Sequence, residues 1–65
     1  MDIILNGKPC SVESGLTAAA LLVQKGYKSK TSVWVNGRQL LLAEYASYII
    51  EEGDKVKLLR IIGGG

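Results

Sequence analysis

Sixty-five residues make a single domain, and a chain of this size buries only about 60% of the surface its unfolded form exposes. One cysteine and no histidine exclude an internal disulfide, a zinc set and any Ser-His or Cys-His nucleophile pair, so the fold must rest on apolar packing. Eight Lys/Arg against six Asp/Glu, spread along the chain, leave a net charge of +2 and no dense basic stripe for a nucleic acid.

The chain opens with Met1-Asp2-Ile3-Ile4-Leu5, followed by Asn6-Gly7 and Lys8-Pro9-Cys10-Ser11-Val12. Asn-Gly between two β-prone runs predicts a hairpin, because a type I′ turn needs positive φ at both central positions. In the first strand Met1, Ile3 and Leu5 share one face and Asp2 and Ile4 the other. Pro9 cannot donate to a ladder, so the second strand belongs at a sheet edge. Cys10, flanked there by apolar neighbours, reads as a packed side chain rather than a reactive thiol.

Thr17 is a good N-cap for a helix over Ala18 to Lys25, with Gly26 in the left-handed position beyond its end. Lys25 complements the negative end of the helix dipole. The helix is apolar on more than one face, so either it is deeply packed or part of it meets a partner. Thr31 to Val35, Asn36-Gly37 and Arg38-Gln39-Leu40 repeat the hairpin pattern. Trp34, out of phase with Val33 and Val35, falls on the outer sheet face, as a partner anchor or packed against its neighbours. Leu40-Leu41-Leu42 cannot all point inward, so at least one leucine is left exposed.

Leu41 to Ser47 suits a short helical turn, Tyr48-Ile49-Ile50 a brief extended piece, and Glu51 to Asp54 a turn. The last run, Lys55 to Ile62, alternates at first, with Val56 and Leu58 inward and Lys57 and Leu59 outward. The order strand-strand-helix-strand-strand-strand gives an α+β domain, one helix packed across a mostly antiparallel sheet. The core is expected from Ile3, Leu5, Val12, Leu16, Leu21, Leu22, Val33, Val35, Leu40, Ile49, Val56 and Leu58.

Little in this set supports independent catalysis. The acidic residues fall on turns and surfaces, with no reason to be desolvated, and Gly63-Gly64-Gly65 do not open a helix as a phosphate loop does. What stands out is that these glycines directly follow a core strand. Without Cβ atoms such a thread passes through narrow clefts, so it suits delivery of a carboxylate into another protein's active site. Taken alone, the three glycines read as a frayed end. Lys57, Leu59, Arg60 and Ile61 beside them read equally as a basic docking patch or as an exposed strand face.

The stretches Met1 to Gly7, Leu16-Thr17, Val33-Trp34-Val35-Asn36-Gly37, Glu52-Gly53-Asp54-Lys55-Val56 and the ending Gly64-Gly65 occur in an order that resembles the ubiquitin-like sulfur carriers, most closely the thiamine-pathway ThiS family. The resemblance covers essentially the whole chain. It implies a β-grasp fold, one helix on a mixed four- to five-stranded sheet, with the first and last strands paired in parallel at its centre. Residues 1–62 would form the body and 63–65 a flexible tail.

It further implies adenylation of Gly65 by a ThiF-like (E1-like) adenylyltransferase, with ATP used by that enzyme and no cofactor bound to the carrier. Conversion to a thiocarboxylate would draw on a sulfur donor such as a cysteine desulfurase, and delivery would go to a ThiG-like thiazole synthase. The protein is then a covalent substrate of other enzymes. A MoaD-like carrier for molybdopterin synthesis and a β-grasp binding module without tail chemistry are the alternatives. Gly63 is one glycine more than the family ending needs. No export signal opens the chain and no apolar run reaches the roughly 18 residues of a bilayer span, so the expected setting is the cytoplasm, without membrane or nucleic-acid partners.

Overall fold

Both Asn-Gly dipeptides turn the chain as their chemistry demands, with φ of 50° at Asn6 and 52° at Asn36. These are left-handed values that asparagine tolerates better than most side chains. In the computed structural model, which describes residues 1–60, they close two antiparallel hairpins. The first joins β1 (Asp2–Leu5) to β2 (Lys8–Ser11), and the second joins β3 (Ser32–Val35) to β4 (Arg38–Gln39).

Between the hairpins lies helix α1 (Ala18–Gln24), capped at both ends. Thr17 Oγ1 accepts from the Ala20 amide at 3.1 Å. At the far end the Gly26 N–H donates to Val23 O (3.2 Å) and the Tyr27 N–H to Leu22 O (2.9 Å). That pair of bonds is a Schellman motif, and Gly26, with φ of 75°, takes the left-handed position it requires. A 3₁₀ turn, Leu42–Glu44, fills the segment expected to be helical. The last strand is β5 (Lys55–Leu59).

The five strands lie in the order β2-β1-β5-β3-β4. β5 therefore sits in the middle, parallel to β1 and antiparallel to β3. β2 is an edge strand, as Pro9 requires. The arrangement is the β-grasp fold, one helix on a mixed sheet. The expected boundary between residues 62 and 63, and the expectations for Ile61, Gly63, Gly64 and Gly65, lie outside the described residues.

Core side chains come from the inward phase of each strand and one stripe of α1: Ile3, Val33, Val35, Val56 and Leu58 face Ala18, Leu21 and Leu22. Val12, Leu16 and Leu40 join them as expected, and Leu5 is partly buried against the cluster. Ile49 corrects the expectation. It is 55% exposed while Ile50 is buried, because Ile49 forms a single antiparallel bridge with Thr17 and the next side chain must turn to the opposite side. Ala18 and Tyr45 are additional core members. Tyr45 is held by its hydroxyl, which donates to Thr31 O (2.8 Å) and accepts from the Val33 amide (3.2 Å). Of the three consecutive leucines, Leu40 is buried and Leu41 and Leu42 are exposed. Val23 is the apolar residue of α1 that faces solvent. Cys10 is partly buried against the core.

Candidate functional site: the end of the central strand and the open sheet face

β5 carries the chain toward the glycine segment, and hydrogen bonds hold it from both sides. β3 pairs along it from Val56 to Leu59. β1 reaches only Ile4↔Lys55 and Leu5↔Val56 before turning away. The two hairpin asparagines add further bonds to β5, one at each end. The Asn6 N–H donates to Val56 O (2.9 Å) and its side-chain Oδ1 accepts from the Leu58 amide at 2.8 Å. Near the start of β5, Asn36 Oδ1 accepts from the Lys55 amide (2.9 Å) while its Nδ2 donates to Asp54 Oδ1 (3.0 Å). Each turn residue therefore serves twice, once through its left-handed backbone and once as a side-chain staple on β5.

With the helix covering one sheet face, the other is open. Ile4, Trp34, Lys57 and Leu59 line a groove of about 490 Å³ there, together with Lys55 and the turn residues Asn6, Gly7 and Gly37. Trp34 stands across from Lys57 in register. Its indole nitrogen is sealed from solvent and meets no acceptor among the described residues. The groove has an apolar floor and a rim carrying two lysines, Lys55 and Lys57.

The sequence grouped Lys57, Leu59, Arg60 and Ile61 as a docking patch or an exposed strand face, and the structure divides the described three. Lys57 and Leu59 lie on the open face, and Leu59 is 45% exposed. Arg60 falls in the opposite phase and stacks over the Tyr27 ring, 4.4 Å from guanidinium carbon to ring centroid. Tyr27 packs against the core just past the end of α1. Ile4 and Lys55 join the groove instead. Their phase in the strands was readable, but that both would meet Trp34 depends on β1, β5 and β3 lying side by side. Among the described residues no group of three or more His, Cys, Asp or Glu side chains could hold a metal ion. No helix among them is long and apolar enough to cross a membrane.

Residues 3–65 match the model of the ThiS family. The fold is similar to the crystal structure of a thiamine biosynthesis protein (ThiS) from Geobacter metallireducens, with a TM-score of 0.85, 29% identity and full coverage of both chains. It is also similar to the solution structure of a thiamine biosynthesis protein from the same organism, with a TM-score of 0.83, 29% identity, and coverage of 100% of this chain and 88% of the other. A thiazole synthase of Magnetococcus marinus is 33% identical over 66 residues. A thiazole synthase of Paramagnetospirillum magneticum is 32% identical over 66 residues. All of this chain aligns with each, yet it spans only 20% of their length. A family match that runs from Ile3 through the three glycines, on a fold shared with a ThiS structure, places the chain in the ThiS family of ubiquitin-like sulfur carriers.

Proposed function

We propose that the protein carries sulfur for thiazole formation in thiamine biosynthesis, as a thiocarboxylate on Gly65. The observation that carries this reading is the reach of the family match, which takes in Gly63, Gly64 and Gly65 as well as the folded body. A free carboxylate is a poor electrophile because oxide would have to leave. An adenylyltransferase of the ThiF (E1-like) kind overcomes this with ATP. A Gly65 carboxylate oxygen attacks the α-phosphorus, pyrophosphate departs, and an acyl-adenylate forms. The terminal sulfur of a donor persulfide, as on a cysteine desulfurase, then attacks the acyl carbon and expels AMP. A thiol reductant cleaves the resulting acyl disulfide, leaving with the donor sulfur as a disulfide. The product is a thiocarboxylate, a soft nucleophile that hands sulfur to a thiazole synthase of the ThiG kind.

The body contributes recognition and presentation. The open-face groove gives an activating enzyme an apolar anchor at Trp34 and Leu59, with Lys55 and Lys57 steering toward an acidic surface. That a domain like this one aligns with a fifth of the length of two thiazole synthases supports such an enzyme as the recipient. The test is intact-mass measurement after incubation with an adenylyltransferase of this kind, ATP and a sulfur source. Exchange of one oxygen for sulfur, absent when Gly65 is deleted, is the expected result. An unchanged mass beside an enzyme active on its own carrier would reduce the protein to a binding module.

A further inference from the structure

Arg60 is the last described residue before the glycine segment, and its side chain does not join the groove. Its guanidinium lies over the Tyr27 ring at 4.4 Å, well within the roughly 6 Å over which a cation is attracted to an aromatic face. The Tyr27 hydroxyl in turn accepts from Asn6 Nδ2 at 3.3 Å. The other side-chain atom of Asn6, Oδ1, holds the Leu58 amide at 2.8 Å. Tyr27 itself is tied down by its backbone bond to Leu22 O in the helix cap and by packing on the core. The β1–β2 turn and the end of α1 thus meet the end of β5, at Leu58 and at Arg60 respectively.

We propose that Arg60, Tyr27 and Asn6 form a take-off clamp, with Arg60 and Tyr27 as positioning residues that set the direction in which the chain leaves β5 toward Gly65. This rests on the sulfur-carrier reading for its functional consequence, though not for its structural one. β3 still pairs with Leu59 through Ser32, but Arg60 lies beyond the last ladder residue. Its orientation depends on the stack with Tyr27. If only a fraction of molecules point the chain end productively, the apparent affinity of an activating enzyme falls by that fraction, while the chemical step on bound carrier is untouched. An exposed cation–π contact is worth a factor of about two to five in such a population.

The experiment compares Arg60→Ala, Tyr27→Leu, Tyr27→Phe and the Arg60→Ala/Tyr27→Leu pair in the full chain, by two readouts. The first is ¹⁵N relaxation of the Leu59 and Arg60 amides in the isolated protein. The second is pyrophosphate exchange catalysed by an adenylyltransferase that activates the unsubstituted chain. The clamp requires faster local motion at Arg60 in Tyr27→Leu, and at Leu59 in every variant lacking the stack. It also requires a KM raised about two- to fivefold with kcat unchanged in Arg60→Ala and in Tyr27→Leu, and no further rise in the pair. Tyr27→Phe keeps the ring face and loses only the long, exposed bond from Asn6, so its KM should rise less than that of Tyr27→Leu.

Tyr27→Leu leaves the Arg60 charge in place. A KM effect confined to Arg60→Ala would therefore assign that residue to electrostatic attraction and overturn the clamp, as would multiplicative effects in the pair. Should no adenylyltransferase accept the unsubstituted chain, the sulfur-carrier reading fails, and relaxation alone decides the clamp. Unchanged motion in Tyr27→Leu overturns it.

Discussion

Asn6 offers the sharpest test of how this small domain holds its central strand. β1 stops pairing with β5 after Leu5↔Val56, so the Leu58 amide on that side has Asn6 Oδ1 as its acceptor, at 2.8 Å in a partly buried setting. Asn6→Gly keeps a backbone that accepts the left-handed turn and deletes the acceptor. Leaving a buried donor unpaired costs about 1–3 kcal/mol, and partial water access places the expectation at about 1–2 kcal/mol. For a domain of this length each kcal/mol lowers Tm by about 4–8 °C.

Asn6→Asp is the control. It tolerates the same turn, keeps an oxygen for the Leu58 amide and loses only the donor to Tyr27, so its cost should stay below about 0.5 kcal/mol. Urea unfolding followed by the single tryptophan, Trp34, gives the stabilities. Native-state hydrogen exchange at Leu58 gives the local consequence, with protection lost in Asn6→Gly and kept in Asn6→Asp. Equal stabilities for the two variants, or a Leu58 amide that exchanges no faster in Asn6→Gly than global unfolding allows, would refute the stapling role.

Tyr45→Phe keeps the buried ring but strands the Thr31 carbonyl and the Val33 amide that share the hydroxyl. A loss of about 1–3 kcal/mol is expected in thermal unfolding. Glu44 accepts from the Leu41 amide and from Arg38, and these two bonds, the backbone one first, hold its carboxyl below the usual glutamate range. Its contribution to stability is therefore fully present above the unfolded value of about 4.3 and is lost as pH falls through the lower folded value. Tm against pH should show this acid-side loss in the native protein, and Glu44→Gln should flatten it. Leu59→Ser, at a half-exposed groove position, should cost less than about 1 kcal/mol of stability while raising KM with an activating enzyme about tenfold. Equal KM values would remove Leu59 from the docking surface. Deleting Gly65 should abolish sulfur loading with Tm unchanged, which calorimetry beside the mass measurement checks.

Much of this molecule was readable from residues a few positions apart. The two Asn-Gly turns, the Thr17 cap, Gly26 beyond the helix and the inward phase of Val56 and Leu58 follow from backbone sterics and side-chain alternation, which act over one or two turns of chain. The family resemblance supplied the parallel pairing of the first and last strands, which periodicity leaves open. Other features belong to tertiary structure alone. Ile50 rather than Ile49 enters the core because the bridge to Thr17 sets the phase of a segment too short to show one. Arg60 parts from Lys57 and Leu59 because opposite strand phases point to opposite sheet faces and the helix brings Tyr27 to one of them. The groove exists only where β1, β5 and β3 lie side by side, contacts between residues far apart in sequence that no local rule encodes.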